Sequence, residues 1–95
     1  MFTADHARRA LAIIGIDLER EGIQIEAVVD GMNVELEHGT RFPDLDVTGD
    51  DPVISAKIAL AHLREFSDYY ERLAHMEAEA EAALAVAGES DLGII

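Results

Sequence analysis

The chain has no cysteine and no tryptophan, only two prolines, and 7 basic side chains against 20 acidic ones in 95 residues. Each scarcity excludes something. Without cysteine there are no disulfides, no thiolate nucleophile and no zinc-thiolate site, so any transition-metal site must use His, Asp, Glu, Tyr, backbone or water. A net charge of −13 argues against nucleic acid as a partner, because neutralising phosphates takes Lys and Arg. It argues against anionic membrane surfaces for the same reason. No apolar run approaches the ~20 residues a membrane-spanning helix needs. Met1 to Ala12 has no basic segment leading into an apolar core, so it does not read as a secretory signal and a cytoplasmic location is expected. No Ser/His/Asp pattern, phosphate-cradling glycine loop or His-Glu-x-x-His run supplies hydrolytic chemistry.

About half of the residues are apolar, 49%, and their spacing is helical. The expected fold is all-α, with about three helices: an antiparallel helical hairpin with one long C-terminal helix, ferritin-like or bundle-forming on oligomerisation. One helical domain over 1–87 and a flexible tail over 88–95 are expected. A domain of this length buries only roughly two-thirds of the surface its unfolded chain exposes, so a homo-oligomer, dimer or larger, is the expected state.

Thr3 caps a first helix over 4–14, with Asp5 in its first turn, and Gly15 and Gly22 mark breaks. The second helix spans 24–38. Its Ile25, Val28, Val29, Met32 and Leu36 share one face, Gly39 is its stop, and Gly31 within it permits close packing or a kink. Residues 39–51 form a loop. Asp51-Pro52 reads as an N-cap followed by proline at the first helical position. The third helix runs over 52–86 to a stop at Gly88, on a stripe of Ile58, Ala59, His62, Phe66, Tyr69, Leu73 and Met76. Its Ala- and Glu-rich end, Met76 to Ala87, reads as an exposed extension or an oligomer contact.

Two polar patterns interrupt these stripes: Glu35-x-x-His38 and His62-x-x-Glu65. Residues three apart share a helix face. At 100° per residue, Glu35 falls within about 20° of Val28, inside the apolar stripe, where an unpaired carboxylate is expensive. Two such pairs on packed helices supply two oxygens and two nitrogens, the spacing that di-iron carboxylate proteins use. Glu35, His38, His62 and Glu65 are therefore the expected metal ligands, with iron favoured and manganese or zinc as alternatives. Tyr69, one turn after Glu65, is either a core aromatic with its hydroxyl partnered or a group acting beside the metal, as a hydrogen bond to a ligand or a redox-active phenol. Ferroxidase-like or oxygen-dependent oxidoreductase chemistry follows from that set.

The competing reading makes the stripes oligomer seams in which His and Glu fix register, giving an interaction module with no metal. In that reading His38 answers a helix C-terminal dipole and His62 hydrogen-bonds a neighbouring Glu. Tyr70 reads as plain packing, and Asp50 and Asp51 as capping and turn residues. Lys57 and Arg64 read as surface ion-pair partners, and His6 and His75 as isolated and exposed. Glu71, Glu77, Glu79 and Glu81 read as a solvated face.

The segments Gly31-Met-Asn-Val-Glu-Leu-Glu-His-Gly39, Asp50 through Tyr70 and Glu71-Arg-Leu-Ala-His-Met-Glu77 resemble a small bacterial helical domain family of unknown function, over roughly 16–80. This resemblance implies that the two polar patterns belong to one module. Asp91-Leu-Gly-Ile-Ile95 resembles the opening of the peptides by which cargo docks inside encapsulin shells, without their Gly-Ser-Leu ending. The pair Glu35/His38 is similar to the Glu-x-x-His of encapsulated ferritins. Those resemblances imply an encapsulin shell as a partner and an iron centre at a subunit interface.

Overall fold

The computed structural model describes residues 1–90, and every described element is helical. Five α-helices follow in order: α1 (Ala4–Ile14), α2 (Leu18–Glu21), α3 (Ile25–Arg41), α4 (Pro52–Glu65) and α5 (Tyr69–Ser90), with a 3-10 turn at Pro43–Leu45. The all-α expectation holds. The elements differ from expectation at α2, at the end of α3, at the break between α4 and α5, and at the end of α5.

The start of the chain is built from capping chemistry. The Thr3 side chain accepts from the His6 backbone N–H, and the Thr3 N–H donates to His6 Nδ1 at 2.9 Å, so the two residues cap α1 reciprocally. His6 is thus half-buried and structural, where isolation was expected. Asn33 of α3 holds the same end from the other side: Phe2 N–H donates to its Oδ1 at 2.7 Å, and its Nδ2 donates to the Phe2 carbonyl at 3.0 Å. Gly15 ends α1 at φ 85°, a left-handed position that favours glycine. Asp17 caps α2, a single turn that the sequence reading passed over.

α3 does not stop at Gly39. It runs to Arg41 and ends at Phe42 (φ −127°, ψ 72°), because the residue before Pro43 is steered out of the helical region. Gly39 serves packing instead: a Cβ there would collide with the Asp46 carboxylate. Asp46 in turn organises the loop, accepting from the Thr48 N–H at 3.0 Å, the Thr48 hydroxyl at 3.1 Å and the Gly49 N–H at 2.9 Å. These bonds hold its carboxyl below the usual range, the Gly49 N–H most of all. Asp51 then accepts from the Val53 and Ile54 N–H groups and Pro52 opens α4, as expected.

The third expected helix is two helices. α4 ends at Phe66, whose backbone is extended (φ −141°, ψ 116°), and α5 restarts at Tyr69. Ser67-Asp68 followed by Glu71 has the spacing of an N-terminal capping signature, and a turn closed by the Tyr69 N–H donating to the Phe66 carbonyl at 3.0 Å interrupts the continuous apolar stripe across 58–76. α5 also passes Gly88 and reaches Ser90. The encapsulin-like residues 91–95 lie outside the described residues.

The core is Ala7, Ala10 and Leu11 from α1, Val28 and Met32 from α3, Ala56, Ala59, Leu60 and Leu63 from α4, and Tyr70 from α5. α3 and α4 form the principal pair and α1 packs onto both. The last turn of α4 returns beside the start of α3, where Arg64 clasps Glu21 through two bonds, Nε to Oε1 at 2.6 Å and an Nη to Oε2 at 2.8 Å. That is the antiparallel hairpin, with Arg64 in the ion pair expected of it. Among the described residues α5 joins the body through its first turns, with Tyr69, Tyr70 and Leu73. From Ala74 to Ala85 every side chain is exposed, and the molecule is correspondingly elongated, 51 × 28 × 19 Å.

Three helices meet at Gly31. A Cβ there would stand 2.5 Å from Tyr70 Cε2 and 2.8 Å from the Ala59 Cβ. Gly31→Ala is expected to destabilise the fold by about 1–2 kcal/mol net, because overpacking outweighs the ~1 kcal/mol gain in helix propensity. Ser55→Ala is expected to do the opposite. The Ser55 hydroxyl is fully buried and has no hydrogen-bond partner among the described residues, so removing it gains about 1 kcal/mol. Urea unfolding of both variants checks the pair; equal signs would refute it.

Candidate functional site

The inner face of α3 carries Glu35 one helical turn beyond Gly31, and that spacing sets the site. The Tyr70 ring lies across the bare backbone of Gly31, and its hydroxyl donates to Glu35 Oε1 at 3.0 Å. The Glu35 side chain is 14% exposed, so this bond satisfies a carboxylate that has largely left water. His62 approaches from α4, its Nε2 at 3.9 Å from Glu35 Oε1, a close approach beyond hydrogen-bond length. Tyr69 stacks flat on the His62 ring, with centroids 4.1 Å apart and planes 7° from parallel. Tyr70 meets the same imidazole edge-on at 6.1 Å. The result is one cluster, Glu35–Tyr70–His62–Tyr69, that seams α3, α4 and the first turn of α5.

Of the four expected ligands, Glu35 and His62 come together and the other two do not join them. His38 is exposed near the end of α3. It shares with Glu35 the wall of a small cleft of about 220 Å³, closed by Phe42, Leu45, Asp46 and Val47. Glu65 is exposed as the last residue of α4. Among the described residues no group of three or more His, Asp or Glu side chains is close enough to hold one ion. Tyr69 is found against His62, close to where its angle placed it. Tyr70, read as packing alone, is the residue the sequence reading missed: it is both core and hydrogen-bond donor. The capping signature at Ser67-Asp68 could have found it, because a break there rotates α5 and turns Tyr70 inward.

Burial pushes the Tyr70 phenol well above its ordinary value of 10.0, and the adjacent Glu35 carboxylate adds to the shift. The linkage has a definite sign. Below pH 10 both folded and unfolded chains hold the Tyr70 proton and stability is unaffected. Above it the unfolded chain releases a proton that the folded chain retains, so stability falls as pH rises. The unfolding free energy is expected to decline above pH 10 and to decline less steeply in Tyr70→Phe. Urea unfolding at a series of alkaline pH values reads this, and an unchanged slope in the variant would contradict it.

A second concavity lies on the opposite side of Tyr70. It is an open groove of about 1200 Å³ between α3 and the first turns of α5, with Leu63 of α4 at its base. No helix of the described residues is long and apolar enough to cross a membrane. No curated protein and no solved structure matches the chain. A family model does match, over residues 7–79, described as a protein of unknown function, DUF5661. It covers α1 from Ala7 onward, α2 to α4 and the first half of α5. The chain is a member of that DUF5661 family of helical domains.

Proposed function

We propose that this chain is a helical interaction module that assembles into a homo-oligomer through α5. The observation that carries the reading is the exposure of every side chain from Ala74 to Ala85 on a helix that continues well past the body. Leu73, Met76, Ala80 and Leu84 fall within an arc of about 80° at 100° per residue, a seam that begins half-buried at Leu73 and continues outward. Met76 and Leu84 are 57% and 56% exposed. The small alanines beside the seam let a second helix approach closely. The surrounding Glu77, Glu79 and Glu81 make like-charge repulsion the opposing term, which salt screens.

The Glu35–Tyr70–His62 cluster has a supporting role in this reading. It anchors the root of α5 so that the free length leaves the body in a fixed direction. Sedimentation velocity is expected to show a dimer or larger species whose share grows as salt rises from about 0.02 to about 0.5 M. In Met76→Glu/Leu84→Glu, the monomer is expected to dominate with its helical content retained. A parent that is monomeric at all salt concentrations would overturn the reading.

A second reading, transition-metal binding with iron favoured over manganese or zinc, is supported by the convergence of Glu35 and His62. Two ligands from one chain would be completed by His38 or Glu65 of another copy or by water, and Tyr69 would stand beside the imidazole. Fe(II) oxidation, and docking in an encapsulin shell, would be functions of that state. Elemental analysis of tag-free protein beside Glu35→Ala/His62→Ala separates the readings. Stoichiometric or half-stoichiometric metal in the parent alone supports the metal centre. No metal after anaerobic loading with Fe(II), Mn(II) and Zn(II) removes it.

A further inference from the structure

The groove between α3 and α5 lies on a different face from the α5 seam and has its own chemistry. Its floor is apolar: Ile23, Ala27 and Val34 from α3 and its approach, with Tyr70 and Ala74 from α5. Its rim carries Glu26, Asp30 and Glu37 along α3, and Asp68 and Glu71 on the α5 side. No lysine, arginine or histidine lines it. Asp68 is held by Arg72, Oδ2 to Nε at 2.8 Å. Glu26, Asp30, Glu37 and Glu71 form no ion pair among the described residues. The repeat matters as much as the charge. Ile23, just before α3, and Ala27, Asp30, Val34 and Glu37 within it advance by three or four, so apolar and acidic positions share one face over about 21 Å.

We propose that this groove is the docking site for a cationic amphipathic helix of a partner protein. An apolar stripe flanked by acids is complementary to a helix with apolar residues at i, i+3 or i+4, and i+7 and lysines or arginines on either side. The groove is a wide surface concavity rather than an enclosed cavity, which suits a helix about 10–12 Å across lying half-sunk. The rim carboxylates steer the encounter and fix the register, while the apolar floor supplies the burial. A second copy of this chain is the poorer occupant, because its net charge of −13 opposes an acidic rim.

The test uses the full chain and a synthetic leucine–lysine peptide of about 14 residues, long enough to cover most of the α3 face. The comparison peptide has the same composition with its leucines scattered around the helix. Titration calorimetry is expected to give saturable one-to-one binding of the amphipathic peptide only, with affinity falling steeply as salt rises. Amide shift changes should centre on Ala27, Val34, Tyr70 and Ala74. Asp30→Lys/Glu37→Lys should weaken binding tenfold or more, whereas Glu19→Lys/Asp44→Lys, the same charge change at exposed positions outside both the groove and α5, should leave it nearly unchanged.

Equal binding of the scattered peptide, or equal loss in the two charge-reversed variants, would show attraction to net charge alone and overturn the proposal. No peptide binding, with groove amides shifting only as protein concentration rises, would assign the groove to a second copy and overturn it as well. Neither outcome depends on whether α5 self-associates, which sedimentation reads separately.

Discussion

The Tyr70 ring rests on the uncovered backbone of Gly31, and its hydroxyl reaches Glu35 one turn further along α3. The two contacts need each other. With a Cβ at Gly31 the ring would have no room beside Ala59, and without the ring the Glu35 carboxylate would lose the hydroxyl that donates to it. A half-buried acid is costly when unpaired and useful when paired, so one phenol turns a liability on an apolar stripe into the fastening for α5. The direction of α5 follows from this point. So does the wall of the groove, since Tyr70 is one of the residues that line it.

A polar cluster of this composition carries two meanings that the chemistry keeps distinct. A glutamate, a histidine and two tyrosines in contact resemble the furniture of a metal centre, and they also make a satisfied seam between helices. In this fold Tyr69 covers one face of the imidazole and Tyr70 occupies one carboxylate oxygen. His38 and Glu65 point to solvent at helix ends. Within one chain the arrangement fastens helices together, and a metal would require additional ligands from elsewhere. What the fold leaves unspent is surface: the outer length of α5 and the acid-rimmed groove, both presented by the anchored helix.

Much of this was legible in the residues because local chemistry decides it. Thr3, Gly15, Gly22 and Asp51-Pro52 punctuate the chain where the helices begin and end, and the stripe of α3 places Val28 and Met32 in the core. Glu35 and His62, picked out as polar residues on apolar faces, do meet. The misreadings share a cause. Gly39 looked like a stop, but its purpose is to receive Asp46 from a loop that periodicity along one helix does not register. The continuous stripe from Ile58 to Met76 concealed the turn at Phe66 to Asp68, because apolar spacing can persist across a break. Tyr70 reads as packing from its own segment because its partner, Glu35, lies 35 residues away. Reading Glu-x-x-His and His-x-x-Glu as pairs assumed that both members face inward, whereas residues three apart differ by about 60° and helix ends allow the outer member to stay in water.

The central claim is that Glu35 and Tyr70 act as one unit holding α5 to the body. A double-mutant cycle with Glu35→Gln, Tyr70→Phe and the double variant, read by urea unfolding near neutral pH, tests it most directly. A coupling of about 1.5–3 kcal/mol is expected, the range for a hydrogen bond to a charged group, with the double variant losing much less than the two single losses combined. Losses that add to within about 0.5 kcal/mol would mean that the carboxylate and the phenol contribute independently, and would contradict it.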